Sequence, residues 1–180
     1  MLSMRIVGLL DKFNSVTQSG FIKGRYIMEN LITSWEAMHE AKADNQNVAM
    51  VLLDFEKAYD RIEWSFVGGM LQAFGFPSYF CKWIDILFKD SSTIVEINGD
   101  MSEAIPLRRS IRQGFPIAPT MFVIVANALY YILRALELGP SIKGLTLPNV
   151  DGLINAQFVD DTALFIALFE DNFDNAMERL

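Results

Sequence analysis

Three aspartates stand at the ends of apolar stretches, where an unpaired carboxylate is unfavourable. Asp54 ends the apolar run at 48–53, and Asp160 and Asp161 stand between two apolar runs much later in the chain. Adjacent carboxylates repel each other and burial raises the pKa of one of them, so such a pair is costly without a counter-charge. A divalent cation removes that cost. Phosphoryl or nucleotidyl transfer with paired Mg²⁺ ions is the chemistry that most often needs this cluster.

Each of these aspartates also has a purely structural interpretation. A single aspartate after a strand is commonly a helix N-cap or a turn residue, and two adjacent ones commonly form an Asx turn. The composition narrows the catalytic alternatives, because His39 and Cys81 are the only histidine and cysteine in the sequence. Ser-His-Asp and Cys-His catalysis therefore lack a good second candidate, and an internal disulfide framework or a cysteine zinc site is excluded.

The charge of the chain leaves its partner open. A net charge of −7 argues against a free-standing nucleic-acid binder, whose domain is usually basic. Basic residues cluster locally, as at Arg108, Arg109 and Arg112, but such clusters are usually solvated faces. No apolar run reaches the ~18 residues that a membrane span needs, so no membrane partner is expected. The oligomeric state is open as well.

Hydrophobic periodicity and turn residues predict the elements that must position the aspartates. Helices are expected at 25–43, 57–74, 79–89 and 120–138, the last stopped by Gly139-Pro140, and over 171–180. Strands are expected at 48–53, at 93–97 and 104–107 around the Asn98-Gly99 turn, at 142–147, and in a hairpin of 153–158 with 162–168. The weak periodicity of residues 1–20 predicts no regular element there.

Four segments follow one another in a fixed order along the chain. They are 18–25 (QSGFIKGR), 53–60 (LDFEKAYD), 98–99 (NG) with 112–119 (RQGFPIAP), and 157–162 (QFVDDT). In this order and spacing they resemble the palm of a reverse transcriptase, most closely that of the non-LTR, LINE-type retrotransposons found in plants. The resemblance covers about residues 18–169.

The resemblance implies an α+β polymerase palm, with a small, mainly antiparallel sheet covered by helices on one face and the metals on the other. Residues 1–180 would form a partial reverse transcriptase domain: about 1–47 would be the end of the fingers with the helix leading into the palm, and 48–180 the palm. The fingers would be incomplete and the thumb absent. A retroelement fragment, weak or inactive in isolation, is therefore expected, with an intracellular, nuclear location.

The resemblance also implies a metal site. Asp54 and Asp160 would bind two Mg²⁺ ions, for which Mn²⁺ is a substitute, with Asp161 beside them as a weaker ligand. The backbone carbonyl of Phe55 would complete one metal shell. One ion would activate the 3′ hydroxyl of a DNA primer, and the other would hold a deoxynucleoside triphosphate and stabilise the leaving pyrophosphate. An RNA strand would be the template.

Other matching positions imply contacts with substrate and nucleic acid. The ring of Tyr59 would pack under the incoming sugar and exclude a 2′ hydroxyl, while Gln113 and Gly114 would line the nucleotide pocket. Arg25 and Arg112 would meet phosphates of template or substrate. The structural alternatives are a plain core aromatic for Tyr59, a simple loop before a helix for Gln113 and Gly114, and solvated side chains for the two arginines.

Three alternative functions stay open. A catalytically inactive retroelement remnant or interaction module would keep the fold without polymerising. A group II intron maturase-like protein shares the palm but should carry its own thumb and RNA-binding region. An unrelated Mg²⁺ phosphotransferase would need a phosphate-cradling glycine loop, and no P-loop pattern occurs in the chain. The chain also departs from the family at Ser110, where relatives usually carry glycine.

Overall fold

The computed structural model of the chain describes residues 2–138, 143–147 and 150–168. Its helices are α1 (Leu2–Val7), α2 (Leu10–Phe13), α3 (Ile27–Ala43), α4 (Trp64–Ala73), α5 (Ser78–Phe88) and α6 (Ala118–Glu137). Its strands are β1 (Val48–Leu53), β2 (Ser92–Thr93), β3 (Glu96–Ile97), β4 (Asp100–Met101), β5 (Ile105–Pro106), β6 (Leu145–Leu147), β7 (Val150–Leu153), β8 (Asn155–Phe158) and β9 (Asp161–Ala167). The expected α+β class with small antiparallel sheets is confirmed.

The central sheet has three strands in the order β1-β9-β8, and both pairings are antiparallel. The middle strand, β9, is buried on both faces, since Leu164, Phe165 and Ile166 are each at most 1% exposed. The residues of β1 are half-buried or exposed. This strand order places the end of β1 near the turn between β8 and β9, which is the edge that matters for the site.

Helices cover both faces of this sheet. Phe165 packs with Ala37 of α3, whose small side chain lets the helix approach closely. Leu164 and Ile166 point to the other face and pack with Leu133 of α6. The expectation of helices on one face alone is therefore wrong. The physical reason is that β9 carries an unbroken apolar run, which needs cover on both sides.

The longest helix, α6, joins the sheet to the rest of the core. Met121 and Ile124 are buried in a cluster with Leu71 of α4 and Ile84 of α5, while Leu133 reaches the sheet. By length and composition alone, α6 would also qualify as a membrane-spanning helix. Packing against neighbouring elements accounts for much of this apolar surface, as in the central helix of a globular core.

Most elements predicted from the sequence are confirmed. The bounds of α3, β1, α5 and α6 fall within two residues of the expected ones, and the hairpin of β8 and β9 forms where it was expected. The strand predicted at 142–147 is present in part as β6. The predicted stop at Gly139-Pro140 and the predicted helix at 171–180 lie outside the described residues.

The helix predicted at 57–74 is wrong in its first turns, because α4 begins only at Trp64. Residues 57–61 form turns, and two carbonyl groups of the segment before α4 are bonded to a distant loop. The carbonyl oxygens of Tyr59 and Ile62 accept hydrogen bonds from the N–H groups of Ile111 and Ser110, each at 2.9 Å. Pairing with this distant loop replaces the helical hydrogen bonds of these two carbonyl groups, so tertiary contacts override helix propensity here.

The hairpin around Asn98-Gly99 is present but shorter than expected. The turn joins β3 to β4, and a separate pair, β2 with β5, forms further from the turn. The short helices α1 and α2 and the strand β7 were not predicted, because their segments are too short for a period to be recognised.

Candidate active site

The end of β1 and the hairpin of β8 and β9 meet at one edge of the central sheet. Leu53, the last residue of β1, pairs with Thr162 of β9 in antiparallel register. Continuing this register by one position brings Asp54 to the level of Asp161. Two carboxylates that are far apart in sequence therefore extend from neighbouring strands at the same end of the sheet.

The turn of this hairpin has an unusual backbone. Phe158 pairs with Asp161, which leaves Val159 and Asp160 as a two-residue turn. Val159 has φ +59°, a value that suits the primed turns of tight hairpins but disfavours a β-branched side chain. Such strain persists only where surrounding contacts hold it. The conformation of Val159 therefore sets the direction in which the half-buried Asp160 leaves the sheet.

Tyr59 lies close to this turn. Its ring stacks on Phe122 of α6, with ring centroids 4.4 Å apart and an interplanar angle of 18°. Burial raises the pKa of the Tyr59 phenol, and the charge of Asp160 raises it further. The phenol is therefore within electrostatic reach of that carboxylate. Phe122 was missed in the sequence, because an apolar residue inside an apolar helix looks like any other core position.

Two open grooves meet at Asp54. One, of about 730 Å³, lies against α6 and has mainly apolar walls that include Ile62 and Phe122. The other, of about 510 Å³, lies between α3 and the sheet, where Leu31 and Asp161 contribute to its lining. Apolar walls that end at carboxylates suit a ligand with an aromatic part and a phosphate held through a cation.

The donor groups at this edge fit a divalent cation in kind. Asp54, Asp160 and Asp161 offer the carboxylate oxygens that Mg²⁺ prefers, and the carbonyl of the exposed Phe55 offers another. Within residues 2–138, 143–147 and 150–168, no three acidic, histidine or cysteine side chains come close enough together to hold a metal ion. The convergence of the three aspartates on shared cations therefore stays a prediction.

The other predicted site residues lie on loops. Arg112 and Gln113 are exposed in the loop before α6, and Gly114 has φ +79°, a conformation that favours glycine. Arg25 is half-buried, and its guanidinium donates hydrogen bonds to the backbone carbonyls of Ser15 and of Gln18, the latter at 2.8 Å. Arg25 thus has a structural role, and contacts of these four residues with substrate or nucleic acid stay predictions.

Comparison with known proteins gives a match over the whole chain. Residues 1–180 match the family model described as reverse transcriptase (RNA-dependent DNA polymerase). A 149 kDa protein of transposon TX1 from Xenopus laevis is 26% identical over 164 residues, which are 91% of this chain and 12% of that protein.

Two further relatives are retrovirus-related Pol polyproteins. That of retrotransposable element R2DM from Drosophila melanogaster is 29% identical over 63% of this chain and 10% of its own length. That of element R2 from Popillia japonica is 28% identical over 86% of this chain and 21% of its own length. The chain thus spans at most about a fifth of these curated relatives.

Two solved structures share the fold. Apo telomerase from Candida tropicalis, truncated from its C-terminal domain, superposes with a TM-score of 0.61 at 12% identity over 99% of this chain and 35% of that one. Telomerase from Candida albicans, in complex with a fragment of telomeric RNA, superposes with a TM-score of 0.64 at 10% identity, over 98% of this chain and 31% of that one. At this identity the likeness concerns the fold alone.

Proposed function

The chain belongs to the reverse transcriptase family, and we propose that it is the palm of an RNA-directed DNA polymerase of the non-LTR retrotransposon type. The observation that carries the proposal is the antiparallel register, which sets the strand end before Asp54 beside the hairpin of Asp160 and Asp161. The retrotransposon names of the relatives support the choice of this type.

In this proposal the carboxylates of Asp54 and Asp160 hold two Mg²⁺ ions, or Mn²⁺ in their place, with Asp161 and the Phe55 carbonyl completing the set. Such cations, when bound, activate a primer 3′ hydroxyl and neutralise charge on the triphosphate and leaving pyrophosphate. The contribution of the chain is to fix these oxygens in advance. Strand ends in a buried sheet and a tight turn do this better than a mobile loop.

Substrate selection belongs to the groups around the carboxylates. The ring of Tyr59, backed by Phe122, forms a wall under the sugar of the incoming deoxynucleotide and leaves no room for a 2′ hydroxyl. Gln113 and Gly114 line the nucleotide pocket, where the glycine lets the backbone come close. Arg25 and Arg112 approach phosphates of the RNA template or the substrate.

The domain assignment follows the same proposal. Residues 1–47 are the end of the fingers with the helix α3 leading into the palm, and residues 48–180 are the palm. The protein acts in the nucleus, where a DNA target for a retrotransposon product is present.

The test is primer extension on an RNA template with a DNA primer, deoxynucleoside triphosphates and Mg²⁺. One sample is the chain by itself. Because the matched region is 21% of the R2 polyprotein of Popillia japonica, a second sample is a hybrid protein in which the chain replaces that region. We expect the hybrid protein to extend the primer. Asp160→Ala should abolish extension by the hybrid protein while circular dichroism shows an unchanged fold.

Extension that survives Asp160→Ala would contradict the proposed role of that carboxylate. A folded hybrid protein without any extension would support the second candidate, an inactive remnant that keeps the fold. One observation favours that candidate: within the described part of the chain, no three potential ligands already form a metal cluster. An inactive remnant need not bind Mg²⁺, so nothing would keep its aspartates at the spacing that two cations require.

A further inference from the structure

One buried side chain contacts the turn that carries Asp160. Gln18 is fully buried, and it lies 141 positions before Val159 in the sequence. Its Oε1 accepts a hydrogen bond from the N–H of Val159 at 3.0 Å, and its Nε2 donates one to the carbonyl of Val159 at 3.3 Å. A single amide thus satisfies both backbone groups of the residue with the left-handed conformation.

The position of Gln18 is itself fixed by several hydrogen bonds. Its Oε1 also accepts from the N–H of Gly20 at 2.8 Å, and its own N–H donates to the Ser15 hydroxyl at 3.2 Å. The neighbouring N–H of Ser19 donates to the carbonyl of Gln157 in β8 at 3.0 Å. The segment that carries Gln18 is therefore tied to the same hairpin whose turn it contacts.

Gly20 brings the segment into direct contact with the turn. A Cβ atom at Gly20 would lie 2.5 Å from Cγ2 of Val159 and 2.6 Å from its backbone nitrogen. Both distances are shorter than van der Waals contact allows, and one of the two atoms belongs to the backbone. Only glycine leaves room for the turn to stay where Gln18 holds it.

We propose that Gln18 is a positioning residue for nucleotidyl transfer, whose amide keeps Val159 in its left-handed conformation and so directs Asp160 at the cation site. The inference rests on the proposed function. A β-branched residue relaxes from a positive φ when its contacts are removed, and the next residue then changes direction. Groups that orient metal ligands in this way typically change metal affinity by about 10- to 100-fold when they are removed.

The experiment uses Gln18→Met in the full chain, because methionine keeps a similar length and volume but makes neither hydrogen bond. We expect Mn²⁺ to bind at least about tenfold more weakly, as measured by electron paramagnetic resonance of the free ion. We also expect the amide hydrogen of Val159 to exchange with solvent about tenfold faster, in line with the loss of one hydrogen bond.

A matched control is available in Asn127→Leu. Asn127 is also a fully buried amide, and it holds the same segment by accepting from the N–H of Ser15 at 3.1 Å and donating to the carbonyl of Phe13. It lies on α6 and makes no hydrogen bond to the turn. Its loss should lower stability, while Mn²⁺ affinity and Val159 exchange stay at the parent values.

A second variant, Gly20→Ala, keeps the Gln18 amide but displaces the turn sterically. It should weaken Mn²⁺ binding as Gln18→Met does, so the inference stays testable even if one variant folds poorly. Parent-like Mn²⁺ affinity in folded Gln18→Met or Gly20→Ala, or an equal loss in Asn127→Leu, would overturn it.

Asp160→Asn separates this inference from the proposed function. If Asp160→Asn does not weaken Mn²⁺ binding, the proposed cation site fails, and the role of Gln18 fails with it. If Asp160→Asn weakens binding and Gln18→Met does not, the cation site stands and only the inference about Gln18 is overturned.

Discussion

Among single residues, Tyr59 connects the two aspartate segments. It follows Asp54 closely in sequence, its ring rests on Phe122, and its phenol lies near the charge of Asp160. Burial and that charge both favour the protonated phenol, so the Tyr59 side chain beside Asp160 stays neutral. A neutral phenol adds no further negative charge beside that carboxylate.

The raised pKa of Tyr59 predicts a pH dependence of stability. The unfolded chain loses this proton near its ordinary pKa of 10.0, whereas the folded chain keeps it to higher pH. The stabilisation is therefore complete below about pH 10 and is lost as the pH rises through the folded pKa. In metal-free buffer, urea denaturation should show a steeper fall in the free energy of unfolding above that pH for the parent than for Tyr59→Phe. Parallel curves would contradict this prediction.

At the scale of elements, the segment 57–63 and the loop that contains Ser110 depend on each other. The N–H of Ser110 donates to the carbonyl of Ile62 at 2.9 Å, and its carbonyl accepts from the indole N–H of Trp64 at 2.8 Å. These bonds hold Ser110 at φ +99°, a conformation that favours glycine. A serine in this conformation stores strain, which costs of order 1–3 kcal/mol.

Relief of this strain predicts that Ser110→Gly raises the free energy of unfolding by about 1 kcal/mol, after the greater freedom of glycine in the unfolded chain is subtracted. The substitution also removes a hydrogen bond at 3.1 Å from the hydroxyl to the exposed Asp60. Ser110→Ala loses the same bond but keeps a Cβ, so it should show no gain. Equal stability of the two variants in chemical denaturation would rule out backbone strain at this position.

Elements with a complete local pattern could be predicted from the sequence. α3 has helical spacing of apolar residues, and β1 is a short apolar run between turn residues. The segment 57–63 could not, because the groups that replace two of its helical hydrogen bonds come from residues 110–111. Contacts between distant segments leave no periodic pattern in the sequence.

The residues of the candidate site also fall into those that the sequence predicts and those that depend on tertiary packing. The order of the motifs indicated Asp54, Asp160 and Asp161, and the register of β1 with β9 brings the strand end before Asp54 to the level of Thr162. Gln18 was noticed only as part of a motif, since its contact with Val159 depends on how two distant segments pack. The stacking of Phe122 under Tyr59 also required the position of α6.

At the scale of the whole molecule, the sheet that carries the site is held between α3 and α6. Phe165 is fully buried on the α3 side, so Phe165→Ala should lower the free energy of unfolding by about 3–5 kcal/mol. Leu52, on the neighbouring strand, is 71% exposed. Leu52→Ala should therefore change the free energy of unfolding by less than about 0.5 kcal/mol. Equal losses in a urea titration would contradict this burial pattern.

The central claim is that Asp54, Asp160 and Asp161 form one cation site, and paramagnetic broadening by Mn²⁺ tests it most directly. In a nuclear magnetic resonance titration, the amide signals of residues 54–55 and 159–161 should broaden together at the same Mn²⁺ concentration. Asp160→Asn should abolish the broadening in both segments at once. Broadening of only one segment, or of neither, would contradict the account.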